Sequence, residues 1–420
     1  MDELELLRRR LRRPEAAGGG VPAPRAAGLH LTEVEAAGGR ILCARSRLPL
    51  PASRGTPALP DAERLVFLDV ETTGLAGGTG TYVFLVGIGA LAGSALRIVQ
   101  YFLPDLDREP PFLAAIRAEL AAARRIVTYN GRTFDFPLLE TRYLLARSAW
   151  WGADLDHLDL FPLARALWGW SVPDCRLTTL ETHLLRLDRG DDLPGGEIPR
   201  LYFHYLRRRD PRLLPRLFAH NRMDLLGLAA LALRAHATLE APGHPREWVG
   251  AARWLERRDP ERSLAYYETA LAAGLGSEER WRVAWRLGRA WRRQGRWEAA
   301  LRLWEDLLGA DPSPPVGLLV DLAKLYEHAA GAFDAALRTA RRALARLEAE
   351  AAEGWPREVL AEALRHREAR LLRRLAAAQT RDLSVRDGSR ARDPRLAAGW
   401  SAPSAGFAGA TLGGGSEGGR

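Results

Sequence analysis

The stretch LVFLDVETTGLAGGTGTYVFLVGIGAL, residues 65–91, decides the fold. Two apolar runs rich in Val, Leu and aromatic residues flank a segment rich in Gly and Thr, a pattern that predicts two strands and their connection. A third run, residues 95–103, follows after a short turn. The three runs therefore predict three successive antiparallel strands in one sheet.

Helical and strand-like segments alternate after these three runs. The sequence predicts a helix over residues 110–123, a strand over 125–130 and a second helix over 134–147. From 159 to 237 the apolar residues recur at helical spacing, interrupted by the turn-rich segment DRGDDLPGGEIP at 188–199. This alternation predicts a domain of the α/β class.

The rest of the chain divides by composition. Residues 1–60 are rich in Gly, Pro and Ala, and residues 381–420 in Gly, Ser, Arg and Ala, so both segments are expected to be mostly disordered. Between them we expect the α/β domain over residues 61–240 and an all-helical domain over residues 246–380.

The helical domain contains an internal repeat. Similar stretches recur every 36 to 37 residues, as shown by their leucines Leu264, Leu301 and Leu337. Two of the units have a glycine and an aromatic residue in the predicted turn, Gly295 with Trp297 and Gly331 with Phe333. This arrangement resembles the tetratricopeptide repeat, whose small and aromatic positions let antiparallel helices pack closely.

One predicted helix of this domain carries both tryptophans and arginines, in the segment WRVAWRLGRAWRR at 281–293. We interpret the tryptophans as packing between repeat helices. The arginines share one face of the helix, which is either an ordinary solvated surface or a surface that guides a nucleic-acid strand. They are Arg282, Arg286, Arg289 and Arg293.

The composition argues against several classes of protein. Two cysteines, Cys43 and Cys175, are too few for a disulfide framework or a Cys-rich zinc site. The longest apolar run, residues 82–91, is too short for a membrane helix. Lys324 is the only lysine, which argues against Walker-type nucleotide hydrolases and Schiff-base enzymes. We expect a cytoplasmic protein that has no membrane partner.

Three short acidic motifs carry the candidate chemistry. Asp69 and Glu71 end the first strand, and because side chains alternate along a strand, both point to the same side. Asp135 closes the motif Tyr-Asn-Gly-Arg-Thr-Phe-Asp, which follows a strand and begins a helix. His220 and Asp224 lie one turn apart on a predicted helix. Each motif alone has an ordinary structural explanation, as a strand end, a turn or an exposed helical pair.

Together, the order and settings of these motifs resemble those of the DEDD 3′–5′ exonucleases, whose ribonuclease H-like fold is a mixed sheet with flanking helices. The stretch FLDVETTGLAGGTGTY at 67–82, the Asn-Gly-x-x-Phe-Asp element and the trailing tetratricopeptide-like repeats are similar to the YprB-type branch of that superfamily in particular. The resemblance covers about residues 60–345.

The resemblance implies a metal-dependent nuclease whose substrate is single-stranded DNA or RNA. It implies two ions of Mg²⁺ or Mn²⁺, which prefer hard oxygen ligands, bound by Asp69, Glu71, Asp135 and Asp224, with Asp69 bridging both ions. It also implies that His220 orients or deprotonates the attacking water.

One spacing departs from the two familiar forms of the superfamily. The histidine form places its histidine five residues before the last aspartate, and the tyrosine form places its tyrosine four residues before it. Here His220 stands at the tyrosine spacing relative to Asp224. The role of His220 is therefore open between a base, a residue that positions water and a packed residue.

Three weaker features are interpreted structurally. The glycines between residues 74 and 80 precede a strand-like run, so they predict a connection between strands rather than a phosphate-binding loop. His157 and Asp159 are interpreted as residues that begin a helix. The run Arg207-Arg208-Arg209 is interpreted as solvated surface.

Two other functions remain as alternatives. The first is a catalytically weak scaffold that uses the repeats to bind nucleic acid or a protein partner. The intact set of four carboxylates argues against it, because an abandoned site tolerates the loss of mutually repelling charges. The second is a metal-dependent hydrolase of small nucleotides.

Overall fold

Seven strands form one mixed sheet in the computed structural model. The structure describes residues 29–51, 59, 62–74, 79–310, 313–349 and 355–390. The strands are β1 Thr32–Ala36, β2 Gly39–Pro49, β3 Leu65–Thr72, β4 Val83–Ala92, β5 Ala95–Phe102, β6 Arg125–Thr128 and β7 Asp156–Asp159. Their order across the sheet is β1-β2-β5-β4-β3-β6-β7.

The centre of the sheet follows the prediction from sequence. β3, β4 and β5 pair antiparallel in succession, which confirms the three predicted strands. β6 pairs parallel with β3, with Phe67 opposite Val127, and β7 pairs parallel with β6. Because parallel strands end at the same edge, the loop after β6 lies beside the end of β3.

The amino-terminal part of the sheet was not predicted. Residues 1–60 were expected to be mostly disordered, but residues 29–51 include β1 and β2, two strands of the sheet, so the expectation does not hold for this segment. β2 pairs with β5 along its length, from Leu42 opposite Phe102 to Pro49 opposite Ala95. This pairing buries Leu42 and its neighbours, which compensates for the weak apolar pattern of the segment. Residues 1–28 lie outside the described residues.

Six α-helices accompany the strands in the order of the chain. They are α1 Glu109–Leu120, α2 Asp135–Leu145, α3 Leu160–Trp168, α4 Leu177–Leu180, α5 Ile198–Arg208 and α6 Leu214–Glu240. α4 continues into a π-helical turn, Glu181–Leu185. The long helix α6 packs across β3, β4 and β5. One large core joins these strands with α1, α2, α5 and the first turns of α6.

A glycine in β4 determines how closely α6 approaches the sheet. A Cβ atom at Gly87 would collide with the side chain of Asn221 on α6 and would lie 2.7 Å from Leu225. The missing side chain therefore lets α6 lie against the middle of the sheet, which brings the residues around Asn221 next to β3.

The chain divides into two compact units, which meet between Ala290 and Trp291 in sequence. The first contains the sheet, α1 to α6, α7 Pro245–Leu255 and α8 Pro260–Ala272. α9, Ser277–Arg293, spans the division. The second contains α10 Trp297–Ala310, α11 Val316–His328, α12 Phe333–Ala349 and α13 Trp355–Arg390.

The domain boundary predicted near residue 240 falls between α6 and α7. In the structure, however, α7 belongs to the same compact unit as the sheet. α7 packs on α3, since Gly250 lies directly against the backbone of Ala166 and the indole of Trp168 donates to Glu247 at 3.0 Å. The exact limits of the two predicted domains remain a prediction.

The second unit is helical, as expected. Buried alanines, among them Ala323, Ala340 and Ala343, lie at its helix contacts. The turn before α12 contains Gly331 at φ +64°, a conformation that favours glycine. α13 continues to Arg390, so the predicted disordered tail is wrong for residues 381–390, and residues 391–420 lie outside the described part.

The predicted fold class is confirmed: a mixed α/β sheet with flanking helices is followed by a helical region. Trp281 and Trp291 of α9 are buried, in agreement with their interpretation as packing residues. In the part of the chain that the structure describes, no helix combines the length and the apolar character needed to cross a membrane.

Candidate metal and active site

The five side chains predicted from the acidic motifs lie together at one place in the sheet domain. Asp69 and Glu71 stand at the end of β3, where the pairing with β4 shifts between Glu71 and Thr72. Asp135 is the first residue of α2, directly after the loop that follows β6. His220 and Asp224 lie on α6. Their meeting depends on the parallel pairing of β3 with β6 and on the close approach of α6.

Three of these side chains present possible metal ligands to one another. One ligand atom each of Glu71, His220 and Asp224 lie within 4.8 Å of one another. His220 Nε2 is 3.2 Å from Asp224 Oδ2 and 3.9 Å from Glu71 Oε1. Glu71 Oε1 is buried and has no hydrogen-bond partner among the described residues. A buried carboxylate oxygen without a partner fits a cation ligand, since a buried charge otherwise needs compensation.

Asp69 is held by a chain of buried amides. Asn221 Nδ2 donates to Asp69 Oδ2 at 2.7 Å. Gln100 Nε2 donates in turn to Asn221 Oδ1 at 2.8 Å and to the backbone oxygen of Phe218 at 2.9 Å. Asn221 and Gln100 are almost fully buried, so the position of the Asp69 carboxylate is determined by packing as well as by hydrogen bonds. Sequence analysis did not identify either amide.

The loop that carries Asp135 is fixed by Asp159. Asn130 adopts a left-handed conformation at φ 61°, which asparagine tolerates better than most residues. Asp159 accepts hydrogen bonds from the backbone N–H of Asn130 at 2.8 Å and of Arg132 at 3.2 Å. It also accepts from the N–H of Phe161 at the start of α3, so its interpretation as a residue that begins a helix is confirmed.

His157 has a structural environment beside this loop. Its Nε2 atom lies 2.8 Å from Thr128 Oγ1, and its ring stacks on Phe136 with centroids 3.8 Å apart. Burial, followed by the charge of Arg132, lowers the pKa of His157. Its ring is thus used for packing against α2, and His157 lies within β7 rather than at the start of a helix, so its interpretation from sequence is wrong.

The turn-rich segment 188–199 contributes two groups that sequence analysis missed. Arg189 donates to Glu181, to Asp224 Oδ1 and, at 2.9 Å, to Asp192. Asp192 Oδ1 lies 2.9 Å from Nδ1 of His220. Arg189 thereby orients Asp224, and Asp192 orients the imidazole so that Nε2 faces the carboxylates. The only sequence signal was the density of charges in Asp-Arg-Gly-Asp-Asp.

Three carboxyl groups of the cluster, those of Asp69, Glu71 and Asp135, resist ionisation. Burial, and then the charges of Asp224, Glu71 and Asp135, raise the pKa of Asp69 well above its usual range. Burial and then the charge of Asp224 raise the pKa of Glu71 to about 8. Burial and then the charge of Asp159 raise the pKa of Asp135 to about 7. The site therefore stores protons that a bound cation would displace.

His220 shows the opposite balance of forces. Burial lowers its pKa, but the hydrogen bond to Asp224 and the charges of Asp224 and Glu71 outweigh burial and raise the pKa to about 9. At neutral pH, the imidazolium therefore neutralises part of the negative charge of the cluster.

A cavity of about 340 Å³ opens next to the cluster. Its lining includes Glu71 and Asp135 of the cluster and Phe134, which is 54% exposed. Gly195, Ile198 and Pro199 also line it. This volume is at the lower end of the range for small-molecule sites, so the cavity suits one small polar ligand or the end of a polymer.

The weaker sequence features have structural positions. The segment around Gly74 and Gly80 lies between β3 and β4, although residues 75–78 are outside the described part, so the interpretation as a connection between strands agrees with the fold. Arg207 and Arg208 are exposed. Arg209 differs from the expectation, since it is half-buried and donates to Asp105 and to the backbone oxygen of Pro104.

Comparison with known proteins shows the family to which the chain belongs. Residues 66–235 match the RNase_H_2 model of the RNase_H superfamily. The chain is 31% identical over 287 residues to the Bacillus subtilis (strain 168) protein YprB, which covers 67% of this chain and 69% of YprB. The family B DNA polymerase of the archaeon Pyrobaculum calidifontis aligns with a TM-score of 0.34 and 14% identity, over 55% of this chain and 34% of the polymerase.

The raised pKa values predict that the protein without bound cations becomes less stable as the pH rises from about 5 to 9. Glu71 and Asp135 titrate near 8 and 7 in the folded state, against ~4.3 and ~3.9 when unfolded, so the folded state binds more protons in this window. Their contribution is complete below the unfolded pKa values and is lost as the pH passes the folded values. His220 acts in the same direction.

The measurement is the melting temperature in EDTA across this pH range, for the parent chain and for Asp135→Asn. The variant lacks one titrating carboxyl, so its melting temperature should fall less steeply. A parent curve that rises relative to that of Asp135→Asn as the pH increases would contradict a buried, proton-storing cluster.

Proposed function

The chain belongs to the family of YprB, with a domain of the RNase_H superfamily, and from this we propose that it is a metal-dependent nuclease that removes nucleotides from the 3′ end of single-stranded nucleic acid. The observation that supports the proposal most is the convergence of four mutually repelling carboxylates, buried or half-buried, beside an open cavity. The 3′–5′ direction rests on the resemblance to the DEDD exonucleases alone.

The proposed cation ligands are Asp69, Glu71, Asp135 and Asp224. An all-oxygen set of this kind suits Mg²⁺ or Mn²⁺, and a cluster of four carboxylates suits two ions. Such ions, when bound, neutralise charge on the attacking and leaving oxygens of a phosphodiester. The free Oε1 atom of Glu71 and the raised pKa values of the cluster support this assignment, because both indicate negative charge that lacks compensation.

The residues around the cluster keep the ligands in place. Asn221 fixes one oxygen of Asp69, and Arg189 binds Oδ1 of Asp224, so that Oδ2 faces the centre of the cluster. Because these partners are buried, the ligands lose little conformational freedom when a cation binds, and this favours binding.

We propose that His220 orients or deprotonates the attacking water. Asp192 holds Nδ1, which leaves Nε2 directed toward Glu71 and Asp224. The charges of Asp224 and Glu71, which raise the pKa of His220, are among those that bound cations would neutralise. Cations would therefore lower this pKa toward the range of an effective base.

The helical repeats are proposed to bind a partner of their own. The repeat at 36 to 37 residues and the left-handed turn glycines Gly295 and Gly331 support a tetratricopeptide-like arrangement. Small buried side chains such as Ala300 and Ala336 support closely packed helices in the second unit. Such repeats offer an extended surface for a protein or a nucleic-acid strand.

The proposed function is tested by incubating 5′-end-labelled single-stranded DNA and RNA of the same sequence with the full chain in Mn²⁺, in Mg²⁺ and in EDTA. The proposal predicts products that shorten by one nucleotide at a time in either metal and no cleavage in EDTA. Internal fragments would indicate an endonuclease. If the chain hydrolyses mononucleotides, incubated under the same conditions, but not the oligonucleotides, it is a small-nucleotide hydrolase. If it hydrolyses neither, the result favours a scaffold.

The first variants to compare are Asp69→Asn and Asp135→Asn, which are predicted to abolish hydrolysis and to preserve the fold. Each change removes a charge that binds cations from a cluster that repels itself, so the melting temperature in EDTA should hold or rise slightly. Near-normal turnover in Mn²⁺ by either variant, on the best substrate of the parent, would refute the assignment of the four carboxylates.

His220→Ala is predicted to slow the chemical step by ~10²-fold or more, the usual scale of general acid–base catalysis. The change should also alter the acidic limb of the pH–rate profile, measured in single turnover with saturating Mn²⁺. His204→Ala on α5, which lies outside the cluster, is the control and should keep the parent rate. An unchanged rate and profile in His220→Ala would show that His220 is a packed residue.

A further inference from the structure

A second groove lies between α3, α7 and α9, outside the carboxylate cluster. It encloses about 460 Å³ and is lined by charged groups of predominantly one sign. The charged lining side chains are Arg165, Arg246, Arg253, Arg282, Arg286 and Glu279. Five guanidinium groups face one carboxylate, so the groove attracts anions.

Two of these arginines, Arg165 and Arg253, are exposed and form no ion pair with a carboxylate in the part of the chain that the structure describes. The other three pair with acidic residues: Arg246 with Glu279 at 2.7 Å, Arg286 with Glu256 at 3.1 Å, and Arg282 with Glu278. Exposed ion pairs of this kind are weak, so an incoming polyanion competes with them at small cost.

An exposed aromatic ring lies beside the arginines. Trp170 lines the groove and is 38% exposed. Its ring stacks on His244 with centroids 4.2 Å apart, and the guanidinium of Arg246 lies 5.4 Å from the ring centroid. Basic side chains interleaved with an aromatic ring are typical of surfaces that bind single-stranded nucleic acid, and the planar guanidinium fits a phosphate.

The helix that forms one wall of the groove begins at the candidate active site. Asp159, at the start of α3, binds the loop that leads to Asp135. At ~1.5 Å per residue, Arg165 lies about 9 Å and Gly169 about 15 Å along α3 from Asp159. A polymer whose end lies at the carboxylates therefore reaches the groove within a few nucleotides, whereas a mononucleotide does not.

We propose that this arginine groove binds the phosphate chain of the single-stranded nucleic acid whose end is cleaved at the carboxylate cluster. The direction of the strand toward the cluster rests on the proposed nuclease function, while binding of the strand by the groove does not. The short distance along α3 and the exposed indole favour nucleic acid over an acidic protein segment.

The test is the double charge reversal Arg165→Glu with Arg253→Glu, which breaks no ion pair within the described residues. Binding of a fluorescent single-stranded oligonucleotide is measured by anisotropy in EDTA, so that the strand stays intact. We expect roughly tenfold or more loss of affinity, the scale of one or two charged contacts. The log–log salt slope should decrease by about 1.4, at ~0.7 for each lost single-strand phosphate contact.

The matched control is Arg117→Glu with Arg124→Glu. Both residues are exposed and form no ion pair in the described part of the chain, and Arg124 directly precedes β6, at the strand end opposite the candidate site. This variant has the same net charge as the groove variant. Equal affinity and equal salt slope in the two variants would overturn the proposal, because the effect would then be one of net charge alone.

Further measurements separate this inference from the proposed function. Hydrolysis of a dinucleotide in Mn²⁺ by the groove variant should match that of the parent, since the dinucleotide is too short to reach the groove. If the parent hydrolyses no substrate but the groove variant still loses binding, the nuclease function fails and the groove assignment stands. If poly-glutamate binds the parent as tightly as the oligonucleotide and shows the same loss, the assignment to nucleic acid is overturned.

Discussion

Repulsion among four buried or half-buried carboxylates is the constraint on which the arrangement of the sheet domain depends. Asp69 and Glu71 come from the end of β3, Asp135 from the start of α2 and Asp224 from the long helix α6. The charges of Asp224, Glu71 and Asp135 add to burial in raising the pKa of Asp69. No local stretch of chain brings them together. Parallel pairing of β3 with β6 brings the loop that carries Asp135 next to the end of β3. The packing of α6 across the sheet brings Asp224 to the same place. The fold thus maintains a charge arrangement that is unfavourable without a cation.

Several groups offset this cost while the site is without cations. Arg189 binds Glu181, Asp192 and Asp224. Burial lowers the pKa of its guanidinium, but the three acidic partners outweigh burial and raise it, so Arg189 stays charged. His220 adds a second positive charge near neutral pH. The protons that the carboxyl groups retain, because their pKa values are raised, remove further negative charge from the cluster. A divalent cation would replace these protons, so cation binding is expected to depend on pH.

The sequence was sufficient to predict the parts of the fold and site that are encoded locally. The strands β3 to β5 form continuous apolar runs, and the alternation along β3 places Asp69 and Glu71 on one side whatever the tertiary structure. β2 was missed because its sequence GRILCARSRLP has only a short apolar stretch, and its strand character depends on pairing with β5. The paired residues lie 46 to 60 positions apart in the chain, from Pro49 with Ala95 to Leu42 with Phe102.

The supporting groups of the site were missed for a related reason. Asn221 contacts Asp69 across 152 residues of sequence, and Asp192 contacts His220 across 28. A buried amide or a charged turn has no periodicity that identifies its partner. The arginine groove is similar, since Arg165 and Arg253 become neighbours only through the packing of α3 against α7. Short motifs therefore identified the candidate cation ligands, while tertiary contacts were needed to identify the residues that position them.

The most direct measurement of the central claim is a crystal structure of the full chain with Mn²⁺, in which anomalous scattering locates the ions. The account predicts two anomalous peaks ~4 Å apart, in contact with carboxylate oxygens of Asp69, Glu71, Asp135 and Asp224. Absence of Mn²⁺ from this cluster, at a concentration and pH that support hydrolysis, would contradict it.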